Sequence, residues 1–174
     1  AEVQFALDKL TSLRSGDNSK PLVNSSRIAL WGHSYGGAVS VIATGAGLTP
    51  QPAATVDLSG GVLSWASSVL WPLVITSYAG QHKSPLYLQQ VSNESPTGIK
   101  DSTTMPFDAA DASGGSAEMA IFASINPDSD TQSSCNAQSY SAAHCAHVAF
   151  MTDHDAVGHW FNTAVEFMSR HGVH

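Results

Sequence analysis

Between Arg27 and Ala43 the chain changes character twice within a short run, and that change limits what it can fold into. Ile28-Ala29-Leu30-Trp31 is an apolar stretch one buried strand long. It breaks into Gly32-His33-Ser34-Tyr35-Gly36-Gly37, after which Ala38-Val39-Ser40-Val41-Ile42-Ala43 has the composition of a helix packed on a sheet. Strand, glycine-bounded turn and helix in that order match the Gly-x-Ser-x-Gly pattern in which a serine sits on a sharp bend. A serine on such a bend is conformationally strained, so Gly32 and Gly36 are expected to be small to let strand and helix approach. The bend also aims the first amides of the helix at whatever Ser34 attacks, which makes the backbone N–H of Tyr35 an oxyanion donor.

The rest of the chain reads as alternating strands and helices. Residues 1–13 carry Val3, Ala6, Leu10 and Leu13 at helical spacing. Residues 54–59, 85–91 and 117–125 read as strands, residues 104–113 and 157–171 as helices. In the last helix Trp160, Phe161, Ala164, Val165, Phe167 and Met168 are expected on the buried side. The apolar stretch 62–80 is either a helix interrupted by Pro72 or part of a lid. Residues 126–145 are rich in Ser, Asp, Asn and Gln and read as a long polar loop inserted into a single domain. Repeated strand–helix units predict an α/β fold with a mainly parallel sheet.

The run SSRIALWGHSYGGA resembles the nucleophile segment of the α/β-hydrolase family, in particular its dienelactone-hydrolase and acyl-esterase-like branches. The resemblance covers the C-terminal portion of that fold. In the family, several strands and a loop donating a second oxyanion N–H precede the elbow. Without them the elbow strand would present an unpaired edge. A second chain completing the sheet, a fragment, or an unusual edge cover each answers that, and the sequence leaves the three open.

The resemblance also implies the chain order Ser, then Asp or Glu, then His. A serine hydroxyl needs a base within reach, and the base needs a carboxylate to fix its tautomer. Glu94 lies directly after the strand at 85–91, where the family carries its acid, with Asp101 as the alternative and mid-strand Asp57 a weaker one. His147 is the expected base, on a loop before the last helix, with His144 the alternative. The resemblance therefore implies a serine esterase with Ser34, His147 and Glu94 catalytic, Tyr35 in the oxyanion hole, no cofactor, and a small-molecule ester as substrate. Trp65, Trp71 and Tyr78 point weakly to an apolar or aromatic one.

Two other readings compete. One is a hydrolase half that keeps the motif but lacks the oxyanion loop, and so is inactive or partner-dependent. The other is a metal site built from His144, His147, Asp153, His154, Asp155 and His159, whose spacing matches no tight ligand pattern. Composition narrows the field further. A net charge of −7 with only 7 scattered Lys and Arg argues against a nucleic-acid partner. No apolar run approaches the length of a membrane span. Low charge with abundant Ser, Thr, Asn and Gly resembles secreted microbial proteins, and in an oxidising compartment Cys135 and Cys145 could close a small loop.

Overall fold

The computed structural model describes residues 1–17, 19–60, 70–94 and 103–174. Helix α1 (Glu2–Ser12) leads through a 3-10 turn (Ser25–Arg27) into strand β1 (Ala29–His33) and helix α2 (Tyr35–Gly45). Then come β2 (Ala54–Leu58), α3 (Leu70–Ala79), β3 (Leu86–Val91), α4 (Met105–Ala112) and β4 (Ala117–Phe122). Helices α5 (Ser129–Ala137), α6 (Ala142–Thr152) and α7 (His154–Arg170) close the chain.

The described strands form a four-stranded sheet in the order β1-β2-β3-β4, parallel at every pairing. Parallel crossovers are right-handed, so strands laid down in sequential order place every connecting helix on the same face. That face carries α2, α3 and α4, and its core is built from Ala38, Val41, Ile75, Ala79, Leu86, Leu88 and Ala110. The other face is left for the final helices, where Ala54, Val56, Leu58, Tyr87 and Val91 pack against Phe150, Trp160, Ala164 and Phe167. Successive residues of β2 and β3 thus point to opposite cores, and both strands are buried along their whole length. Helix α1 makes a smaller cluster through Leu7, Ile28 and Leu48.

Three expectations need correction. The stretch expected as a polar loop holds helix α5. Asp128 caps it, accepting from the Thr131 N–H at 2.8 Å, and Asp153 accepts from the Asp128 N–H at 3.0 Å and the Thr131 hydroxyl at 2.9 Å. Polar composition is what a helix outside the core requires, and local caps supply what apolar periodicity did not signal. His147 was expected on a loop, but it sits within α6, an alanine-rich run capped by Ser141, whose hydroxyl accepts from the His144 N–H. In α7, Trp160, Ala164 and Phe167 are buried, whereas Phe161 and Val165 are exposed, Phe161 packing on Trp31 of β1 at the edge of the described sheet. Pro72 lies within α3. Trp65 and Asp101 lie outside the described residues.

A disulfide joins Cys135 of α5 to Cys145 of α6, with Cα atoms 5.9 Å apart. The closed loop is short, and loop entropy for this length corresponds to roughly 2–3 kcal/mol. The double variant Cys135→Ser/Cys145→Ser is expected to lose that much in a urea titration, and dithiothreitol should bring the wild type to the same value.

Candidate active site

Ser34 is the turn residue between β1 and α2, with φ +56° and ψ −125°. That backbone region is unfavourable for a side-chain-bearing residue, costing about 1–3 kcal/mol, and it holds only where the surroundings enforce it. Here the Ser34 N–H donates to the Leu58 carbonyl at 2.8 Å, and the Ser34 carbonyl accepts from the Ala38 N–H at 3.0 Å. Tyr35 is the first helical residue of α2, so its N–H is directed along the helix axis toward the N-terminal end, where the dipole favours negative charge.

The glycines divide unexpectedly. A Cβ on Gly32 would overlap the backbone of Gly36 and Gly37, yet a Cβ on Gly36 would meet nothing within 4 Å. On the helix side the tight position is Gly37, where a Cβ would overlap the Asp57 carboxyl and lie 2.9 Å from the Gly32 carbonyl. Gly32→Ala is expected to cost about 3 kcal/mol or more, since backbone cannot move aside. Gly36→Ala should stay within about 1 kcal/mol of wild type or gain stability. Urea melts of the two variants would separate these outcomes.

Glu94 follows β3 and is 1 % exposed, not the solvated loop carboxylate that most such residues are. Its Oε1 accepts from the Val91 N–H at 2.8 Å and from the Ser59 hydroxyl. Its Oε2 lies 2.9 Å from His147 Nδ1. A carboxylate accepts, so Nδ1 carries the hydrogen and Nε2 is left with its lone pair, the tautomer of a general base. The His147 ring stacks on that of His33 at 4.4 Å between centroids and 29° between planes. Since His33 immediately precedes Ser34, helix α6 and strand β3 bring the Glu94–His147 pair to the serine bend.

His144 lies one turn before His147 on α6, its ring stacked on Tyr140 at 3.9 Å and edge-on to His147. Burial, then the neighbouring His147, lowers its pKa. No protein-family model matches the chain, and no curated protein sequence does. Asp57, the weaker acid candidate, faces α2 and not His147: its Oδ1 accepts from the Gly60 N–H at 2.6 Å. Burial first, and Glu94 nearby, push its carboxyl up to about 7 against the pull of the Gly60 N–H. Burial and then His147 push His33 down to about 3, against a weaker opposing contribution from the His147 backbone.

Among the described residues no group of three or more His, Cys, Asp or Glu is arranged to hold a metal ion. Within the other proposed ligand set, His147 is committed to Glu94 and Asp153 to the α5 cap. The side chains of His154, Asp155 and His159 lie outside the described residues. Among the described residues no helix is long and apolar enough to cross a membrane.

Sequence reasoning missed two residues. Ser59, just past β2 with φ +57°, holds Glu94 from below. Its signal was a serine directly ahead of Gly60-Gly61 at a strand end. The other is His33, which the Gly-x-Ser-x-Gly pattern leaves without an assigned role.

Proposed function

We propose that this protein is a serine hydrolase of the α/β-hydrolase type that cleaves a small-molecule ester through an acyl-enzyme. The observation that carries the reading is the Glu94–His147 hydrogen bond, placed against the residue next to a strained Ser34. In the proposed reaction His147 Nε2 takes the Ser34 hydroxyl proton as Oγ bonds to the ester carbonyl carbon. The carbonyl oxygen becomes an oxyanion facing the Tyr35 N–H. Collapse breaks the bond to the alcohol oxygen, and His147 returns the proton to that leaving group. Water, deprotonated by the same nitrogen, then releases the acid and restores Ser34. An alkoxide is a better leaving group than an amine anion, which favours esters over amides.

A fluorophosphonate probe should modify the chain once, at Ser34, and abolish turnover of p-nitrophenyl esters, while EDTA leaves turnover unchanged. Labelling elsewhere, or turnover surviving full labelling, would remove Ser34 from the mechanism. Turnover lost to EDTA and restored by zinc would favour the histidine-rich metal reading.

A partner-dependent form of the same reading is favoured by one observation. Strand β1, which presents Ser34, is the edge of the described sheet and has Trp31 36 % exposed against Phe161 of α7. We propose that a further polypeptide segment pairs along β1 and brings the second oxyanion N–H. Under this form alone the purified chain is inactive and co-expression with a second polypeptide that co-purifies with it restores turnover; turnover by the purified chain on its own rules this form out. The Cys135–Cys145 disulfide suits an oxidising, extracytoplasmic location.

A further inference from the structure

A hydrogen bond fixes one atom of a ring, not its plane. Glu94 anchors His147 at Nδ1, and Glu94 is itself held by the Val91 N–H and the Ser59 hydroxyl. That leaves the imidazole free to rock about the Nδ1 contact, which would swing Nε2 away from any fixed target. Rocking stops only where a second surface meets the face of the ring. His33 supplies that surface, its ring stacked at 4.4 Å and inclined 29° to His147, while His144 approaches edge-on at 6.4 Å and 80°. His33 belongs to β1, the rigid element that also places Ser34.

We infer that His33 is a positioning residue: its ring is the plate that sets the plane of His147 and so aims Nε2 at the Ser34 hydroxyl. This rests on the hydrolase reading of the same site. Two further observations favour the face of His33 over its nitrogens. Its Nε2 is buried with no hydrogen-bond partner among the described residues, and the ring's hydrogen bond to His147 reaches the backbone, not the imidazole. Its ring is also kept neutral by burial, so it adds no positive charge beside the imidazolium that forms on His147 during the reaction. A flat neutral ring of another kind should therefore do the same work, and a side chain without a face should not. Small losses of aim at a base are expensive, since misplacement by about 1 Å costs on the order of 100-fold in rate.

The test compares wild type, His33→Ala and His33→Phe in the full chain, with p-nitrophenyl butyrate as substrate and thermal melts as the folding check. His33→Ala is expected to lower kcat about 10- to 100-fold with KM changed less than about threefold. His33→Phe should return kcat to within about fivefold of wild type. NMR of the His147 ring is the readout independent of turnover. The ring should be ordered and shifted by its stacked neighbour in wild type and His33→Phe, and mobile in His33→Ala.

An unchanged kcat in folded His33→Ala overturns the inference. So does a His33→Phe variant that is folded but as slow as His33→Ala. If wild type turns over no ester and takes up no fluorophosphonate, the reading of this chain as a self-sufficient hydrolase fails. The NMR comparison then still decides whether His33 orders the His147 ring: ordering lost only in His33→Ala supports it, and ordering in all three chains overturns it.

Discussion

Ser34→Ala is expected to reduce ester turnover by about 10⁶-fold, and Glu94→Gln by about 10⁴-fold, with both proteins folded as wild type. The two numbers differ because the residues do different work. Without the hydroxyl of Ser34 there is no acyl-enzyme, and what survives is the catalysis of water by binding and oxyanion contacts. Glu94→Gln keeps the shape beside His147 but exchanges a pure acceptor for an amide that can donate to Nδ1. The hydrogen then moves to Nε2, and the base faces Ser34 in the wrong tautomer. The amide also loses acceptor strength for the Val91 N–H and the Ser59 hydroxyl, which both bind Oε1. Steady-state kinetics with p-nitrophenyl butyrate, alongside fluorophosphonate labelling rates, would check both variants. Equal activity of Glu94→Gln and wild type would return the role of acid to another residue.

Asp57→Asn is expected to raise stability. Asp57 is fully buried in β2, and its carboxyl is raised to about 7 by burial, the Gly60 N–H only partly offsetting this. In the unfolded chain it titrates near 3.8. Between those values the folded protein retains a proton that the unfolded chain has released, so stability falls as pH rises from about 4 to about 7. The favourable contribution is fully present below the unfolded pKa and is lost through the folded one. A difference of about three units corresponds to a penalty on the order of 4 kcal/mol at pH 8. Asparagine fits the space left by Gly37 and Gly60, still offers an oxygen to the Gly60 N–H, and never ionises. Urea titrations should find Asp57→Asn a few kcal/mol more stable than wild type at pH 8 and nearly equal to it at pH 4. A difference independent of pH would show that ionisation of this carboxyl is not what the substitution removes. Because Asp57 faces α2 and not His147, the variant should keep its ester turnover where Glu94→Gln loses it.

How much of this could be read before the fold was known depended on the range of the interaction. The strand–bend–helix at Ser34 was legible because strain, glycine spacing and helix dipole all act within a few residues. Strands β2 and β3 were legible because each is a short run of mostly strand-forming residues closed by turn residues, although buried Asp57, Gln89 and Gln90 interrupt the apolar pattern. Helix α5 was not, since its stability rests on caps and on the Asp153 contacts from 22 and 25 residues away. Which glycine mattered was also hidden: Gly36 and Gly37 look alike in the chain, and only the Asp57 carboxyl packed beside α2 distinguishes them.

Local chemistry in the chain by itself singled out Ser34 as the candidate and determined the bend that carries it, the alternation of strands and helices, and the low charge. Tertiary structure alone decided which carboxylate meets which imidazole, because Glu94 and His147 are 53 residues apart and their contact exists only when α6 docks against β3. It also decided that His33 lies flat against His147 and that Asp57 is sealed from water. Burial and ring contact are properties of packed neighbours, and no residue carries them in its own sequence.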